Sequence, residues 1–318
     1  MLMKSELLSS ALGLCLALAA PAYAGSTTPQ DHKPAAKDDQ GKTAVKAEPA
    51  KAAAKNGHGD EEEEEEDVAS TSDGHGTPAK SAKDAGPGSV HWAYEGKEGP
   101  EQWGGLSKDF QVCKSGKMQS PIDLTETKAE GATIHPISFD YRLTELNVVH
   151  NGHTIQVNYA PGSGITVKGK RYELLQLHFH TPSEHAIDGK RAPMEAHFVH
   201  KAADGSLAVV GVMMEEGASN LALGEIWNSM PTKAGETETN KKVLINARDL
   251  LPHDTSYYRY MGSLTTPPCT EGVNWHVLKE PIQVDAQQID QFADAVGDNS
   301  RPLQALNTRF LLVPFAAH

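Results

Sequence analysis

The chain has 318 residues, a formal net charge of −13 and 38% hydrophobic residues. That acidic balance argues against nucleic acid as a partner, because a phosphate backbone selects basic surfaces. No apolar run reaches the ~20 residues needed to cross a bilayer, so no membrane span is expected.

Lys4 opens a short charged start, followed by the apolar run from Leu7 to Ala20 and by Ala22-Tyr23-Ala24. Small residues at those two positions predict cleavage after Ala24, so 1–24 read as a signal peptide and the protein as exported, periplasmic or fully secreted. Cys15 follows Leu14 inside the apolar run, where a lipoprotein signal needs a small residue, so a lipid anchor is not expected. Residues 25–89 hold 14 acidic and 8 basic residues, a net of −6, including the run Glu61 to Glu66. Beyond Val45 and Val68 they offer almost nothing to bury, which predicts a disordered, acidic low-complexity tether. His32, His58 and His75 are read as part of that solvated segment.

From residue 90 to 318 the composition suits one sizeable core. Short alternating stretches predict strands at 154–159, 164–167, 172–180, 194–200 and 207–213. Asn151-Gly152, Pro161-Gly162, Asp188-Gly189 and Asp204-Gly205 punctuate them as turns. Helical spacing is confined mainly to 220–230, 241–250 and 285–295, so the expected class is mainly β. Two cysteines remain after cleavage, Cys113 and Cys269, and in an oxidising compartment a lone pair has one connectivity. A bridge closing so long a loop would contribute roughly 4–5 kcal/mol in the chain-entropy model.

Two neighbouring segments carry the chemistry. His178 and His180 stand two apart on a predicted strand and so share a face, and His197 arrives on the next one. Antiparallel pairing of those strands would converge three imidazoles, a donor set that suits catalytic zinc with an open fourth position. Gln176 and Glu195 each lie two residues before a histidine, placed to accept the outer N–H of a ligand ring. An acidic side chain on the inner face of an apolar strand is otherwise costly.

These residues, with Ser183-Glu184-His185 and Gly262-Ser-Leu-Thr265-Thr266-Pro-Pro-Cys269, resemble the alpha family of carbonic anhydrases. The likeness runs in collinear order through His91-Trp92-Ala-Tyr94, Gln119-Ser120-Pro121-Ile122, Asn151-Gly152-His153, Asn274-Trp275 and Asn299-Ser-Arg301-Pro302. It covers 90–318 as a catalytic domain and leaves the tether out. The resemblance implies a large, mostly antiparallel twisted sheet with a few short peripheral helices, and Zn2+ at the base of a conical cleft. It implies reversible hydration of carbon dioxide to bicarbonate and a proton, by attack of zinc-bound hydroxide.

On the same ground His178, His180 and His197 are the zinc ligands, oriented by Gln176 and Glu195. Thr265 is the gatekeeping hydroxyl, donating its proton to Glu184. Val199, Val209, Leu264, Thr266 and Trp275 line the substrate pocket, with Val199 reaching its wall as the strand twists. His153 is the proton shuttle, titrating near neutrality, with His150 an alternative relay nearby. Tyr94, Asn151 and Gln156 hold the water chain, and a homodimer is left open. Thr181-Pro-Ser departs from the Trp-Gly-Ser stretch of many animal members, which affects rim shape and inhibitor preference.

Rival readings fit less well. A cupin would use His178, His180 and Glu184 as His-x-His-x-x-x-Glu. The expected glycines are replaced by Tyr172 and Arg191, and His197 lacks a Pro-x-Gly lead. A non-catalytic relative would usually have lost a ligand histidine, and a zincin protease would need His-Glu-x-x-His.

Overall fold

Alternation of buried and exposed side chains sets the architecture of residues 90–314, the part described by the computed structural model. The expected signal peptide (1–24) and tether (25–89) lie outside the described residues. Two one-turn helices come first, α1 (Trp103–Leu106) and α2 (Val112–Ser115). The strands that follow are β1 (Asp123–Leu124), β2 (Ala129–Ala132), β3 (Ser138–Asp140), β4 (Thr144–His150), β5 (Ile155–Asn158), β6 (Gly164–Val167) and β7 (Lys170–His180). Next come β8 (Ala186–Ile187), β9 (Met194–Lys201), β10 (Leu207–Glu216), helix α3 (Leu221–Asn228), β11 (Glu236–Ile245), β12 (Tyr257–Ser263) and β13 (Glu271–Leu278). β14 (Ile282–Val284), helix α4 (Ala286–Val296) and β15 (Leu311–Pro314) complete the described chain.

One large sheet runs in the order β11-β4-β5-β7-β9-β10-β13-β12-β15-β2. Most neighbours are antiparallel, as expected, but β10 pairs in parallel with β13 and β14, so the sheet is mixed. Its two faces bury separate apolar clusters. On one lie Leu146, Phe179, Phe198, Val210, Trp227 and Phe292, from the sheet and from α3 and α4. On the other lie Ile122, Val209, Tyr260, Val273 and Trp275. Helix α4 begins with a capping box, in which the Asp285 side chain accepts the Gln288 N–H and the Gln288 side chain returns to the Asp285 N–H.

The helix expected at 241–250 is not formed. Residues 236–245 pair with β4 as an edge strand, with an irregularity between Asn240 and Leu244, and only Ala247–Leu250 makes a short 3-10 turn. Val243, Ala247 and Leu250 mimic helical spacing, but buried Ile245 belongs to an alternating pattern with Val243 and Ala247. Asn246 then caps the turn by accepting the Arg248 N–H at 3.0 Å.

Two histidines are built into the first apolar cluster's face. His200 on β9 and His276 on β13 are fully buried. The Tyr141 hydroxyl meets His200 Nε2 at 2.9 Å, while His200 Nδ1 and both nitrogens of His276 have no hydrogen-bond partner among the described residues. Burial pulls both rings down to about 3, with Arg259 and His200 adding to the effect on His276. An unfolded chain takes up these protons below about pH 6.5 while the native one does not, so stability is complete above that pH and falls as pH drops toward 3. Each ring then removes ~1.4 kcal/mol per pH unit. His276→Ile should therefore raise stability at pH 5 more than at pH 7, by about 2 kcal/mol. Denaturation midpoints at the two pH values measure this, and an unchanged pH slope would overturn it.

Candidate metal centre

A one-residue irregularity in β7 decides which face carries the histidines. Before it, Tyr172 and Leu174 point into the first apolar cluster; after it, Leu177 and Phe179 do. The register against β9 slips between Leu174 and Gln176, leaving Leu175 exposed. Gln176, His178 and His180 are thereby turned to the opposite face. His178 pairs directly with His197 across β7 and β9, and Gln156 on β5 pairs with His178 from the other side.

Outer hydrogen bonds fix each tautomer. His178 Nδ1–H donates to Gln176 Oε1 at 2.8 Å, His180 Nδ1–H to the Asn299 carbonyl at 2.8 Å, and His197 Nε2–H to Glu195 Oε1 at 2.9 Å. The free lone pairs are therefore Nε2, Nε2 and Nδ1. One ligand nitrogen from each ring lies within 4.8 Å of the others. Burial, reinforced by the neighbouring rings, holds His178 well below the ordinary histidine value, and burial also lowers His180. Burial would lower His197 too, but Glu195 outweighs it and raises that ring, the direction of a stronger donor.

Glu195 is fully buried. Its Oε1 accepts both His197 Nε2–H and His185 Nδ1–H (2.8 Å), and its Oε2 accepts the His185 backbone N–H at 2.9 Å. With Nδ1 protonated, His185 Nε2 accepts the Tyr260 hydroxyl at 2.6 Å, and Tyr260 in turn meets Ser120 Oγ at 2.8 Å. Gly211 stands opposite His197 on β10, where a Cβ would come within 2.8 Å of Glu195 Oε1. Sequence reasoning named His185 and Asn299 only within the resemblance, without a role, and did not single out Tyr260 or Gly211. A glycine inside the apolar run of β10 was the available signal for a close approach.

Several of the remaining residues lie on the same face of the sheet as this triad. Val199, Val209 and Trp275 are cross-strand neighbours over β9, β10 and β13, and Leu264 packs on the same cluster. Val199 follows His197 by two residues and so shares its face directly, without the twist that was expected. Trp275 lies 4.8 Å from the His197 ring and donates Nε1–H to the Ser263 carbonyl. The Thr266 carbonyl accepts the Cys269 N–H at 2.8 Å. Cys113 and Cys269 are bridged, with Cα atoms 5.0 Å apart.

Two expectations meet a different arrangement. No hydrogen bond joins Thr265 to Glu184 among the described residues. Glu184 Oε1 accepts the Arg301 backbone N–H at 3.0 Å, and its Oε2 faces His180 Nε2 and His197 Nδ1 at 3.6 and 3.8 Å. His153 stacks on Trp92 with ring centroids 3.7 Å apart, and burial, with His91 adding, takes it down to about 4 rather than leaving it near neutrality. Around it, Asn151 Oδ1 accepts the N–H groups of His153 and Thr154, which closes the turn. Gln156 donates to Asn158 Oδ1 at 2.7 Å. Tyr94 packs edge-on against Trp92 and Trp103, and burial, then Glu184, raises its hydroxyl well above the usual value. His150 is buried and accepts the Gly152 N–H through Nδ1.

The donor set fits a metal ion. His180 Nε2 and Glu184 Oε2 are buried without a hydrogen-bond partner, and an unsatisfied imidazole lone pair at that depth is costly unless something binds it. Residues 98–314 match the family model described as eukaryotic-type carbonic anhydrase. A carbonic anhydrase of Neisseria gonorrhoeae is 47% identical, over 70% of this chain and 88% of its own length. One from Pectobacterium carotovorum is 44% identical over 70% and 91%. The alpha-carbonic anhydrase of Thermovibrio ammonificans, solved with the inhibitor sulfanilamide, superposes with a TM-score of 0.69. It is 45% identical and covers 71% of this chain and 100% of that one.

Glu195→Gln tests the orienting carboxylate. Its amide must point a donor at either the His185 N–H or the two ring N–H groups. Metal affinity, read by chelator competition, should fall about 10–100-fold; unchanged affinity would remove this role.

Proposed function

The chain belongs to the eukaryotic-type, or alpha, carbonic anhydrase family, and on that premise we propose that it uses one zinc ion held by His178, His180 and His197 in the reversible hydration of carbon dioxide. The observation that carries this reading is the convergence of three tautomer-fixed imidazole lone pairs, one of them buried and unpartnered. Three neutral nitrogen donors with no thiolate or carboxylate among them suit zinc with an open position. When bound, zinc acidifies a coordinated water to near neutrality, an effect for which carbonic anhydrases are the standard example.

The chain's own groups supply the rest. Val199, Val209, Leu264 and Trp275 offer an uncharged wall beside His197 for a substrate that carries no charge, and Thr266 is assigned to the same pocket. Thr265 is assigned as the gatekeeping hydroxyl and the unpartnered Glu184 Oε2 as its acceptor. The two are in different loops. His153 is assigned as the relay that carries the released proton outward, beside Tyr94, Asn151 and Gln156. In its stack on Trp92 it stays neutral at pH 7, as an acceptor must, but weakly basic. Leaving the stack for water would restore its basicity. A signal peptide over 1–24, a tether over 25–89 and residence in the periplasm or outside the cell complete the proposal. The Cys113–Cys269 bridge supports an oxidising compartment. No helix among the described residues is long and apolar enough to cross a membrane.

Purified mature protein should hold one zinc per chain and lose carbon dioxide hydration when a chelator removes it; iron as the native metal would overturn the reading. His153→Ala, with His150 also replaced, should lower kcat at low buffer and spare kcat/KM, because proton export follows the carbon dioxide step. A kcat unchanged in that double variant would end the shuttle assignment.

A separate check removes residues 25–88, which should leave both kinetic constants within about twofold, since the segment has no apolar pattern with which to join the core. A large loss in a well-folded truncation would make the tether part of the site.

A further inference from the structure

Asn299 follows α4 in a stretch without regular structure and is 1% exposed. Every polar group it owns is used. Its backbone N–H donates to the Thr181 carbonyl at 3.0 Å, and its carbonyl accepts His180 Nδ1–H at 2.8 Å. Its Oδ1 accepts the Thr181 N–H at 2.8 Å, and its Nδ2 donates to the carbonyls of His153 (3.0 Å) and Phe179 (2.9 Å). Only one amide orientation satisfies all three side-chain contacts, because two face carbonyl oxygens and one faces an N–H. Aspartate has the same shape but would set a carboxylate oxygen against two carbonyls.

The two ends of this residue serve different tasks. Its backbone seats a metal-ligand ring, and its side chain holds the turn Asn151-Gly152-His153 to the end of β7. The other fastener of that turn is Thr154, whose Oγ1 donates to the Phe179 carbonyl at 2.5 Å. The Asn299 side chain has no other partner among the described residues. We propose that Asn299 is a positioning residue that fixes the distance between the metal centre and the proton relay, by clasping His180 through its backbone and the His153 turn through its side-chain amide.

This rests on the zinc and shuttle reading above, and the test separates the two. In Asn299→Ser the backbone contact to His180 survives and the donors to His153 and Phe179 are lost. At low buffer kcat should fall about tenfold while kcat/KM stays within about twofold, and free imidazole should restore kcat. In a His153→Ala background the same substitution should cost nothing further in kcat. In metal-free protein, amide exchange at His153 and Thr154 should quicken about tenfold, with the amides of β9 unaffected. Asn299→Asp should repeat the pattern.

A parallel loss of kcat and kcat/KM, an equal loss in the His153→Ala background, or unaltered exchange at the turn would overturn the assignment. Failure of both variants to fold would assign Asn299 to stability alone and overturn it as well. A wild-type enzyme indifferent to His153→Ala would instead remove the shuttle reading itself.

Discussion

A strand has two faces, and a slip of one residue exchanges them. In β7 that slip is built in. Tyr172 and Leu174 are buried against the helix-covered cluster, and an unbroken alternation would continue with Gln176, His178 and His180 on that same side. The irregularity at Leu175 inverts the phase, so Leu177 and Phe179 take the core and the polar residues cross to the other face. Everything at the site presupposes this inversion: the pairing of His178 with His197, the approach of Gln156, and the exit of β7 toward Thr181 and Glu184. The exposed Leu175, 42% accessible, is the local cost of the inversion.

The inverted face then has to accommodate a buried carboxylate. Desolvating an ion costs several kcal/mol, which Glu195 offsets only through a full set of donors. It has them in His197, the His185 ring and the His185 backbone, and the position of each is determined in turn. Gly211 leaves the volume, Tyr260 pairs with His185 Nε2, Ser120 holds the Tyr260 hydroxyl, and Ser263 holds Ser120. Burial alone would push Glu195 up, yet His185 and His197 together hold it well below the usual carboxylate value. The network therefore transmits orientation from a buried serine pair to the ring that carries the third lone pair.

Much of this was legible in the residues. The i, i+2 histidines, the carboxylate two before His197 and the five strand segments follow from alternation and spacing, and the disulfide pair follows from the cysteine count. The phase change in β7 was not read from the residues, because Leu174 and Leu175 are both apolar and either could continue the buried face. The false helix at 241–250 arose because three apolar residues satisfied helical spacing while a fourth, Ile245, favoured a strand; edge pairing with β4 decided it. Local pattern could not supply the partners of Glu184, nor the stacking of His153 on Trp92. The bond from Arg301 to Glu184 and the stack of His153 on Trp92 depend on segments 60 or more residues apart meeting in space, and no periodicity encodes that.

The half of the site opposite the ligand strands is held by a different device. Arg301 is 1% exposed, and its guanidinium donates to Gln119 Oε1, the Ser120 carbonyl and the Cys113 carbonyl at 2.8–2.9 Å, while lying 5.6 Å from the Trp103 ring. Burial lowers it to about 10, which still leaves it charged at neutral pH, and Glu184 and Tyr94 favour that charge. Its own backbone N–H holds Glu184. The Cys113 it grips is bonded to Cys269, whose carbonyl accepts Gln119 Nε2–H at 3.1 Å and whose loop carries Thr265. One buried cation thus ties together the aromatic N-terminal segment, the disulfide and the Glu184 carboxylate. A neutral replacement there would leave three acceptors unpartnered and Glu184 without its counter-charge. The loop bearing Thr265 is consequently secured to the same residue that secures Glu184.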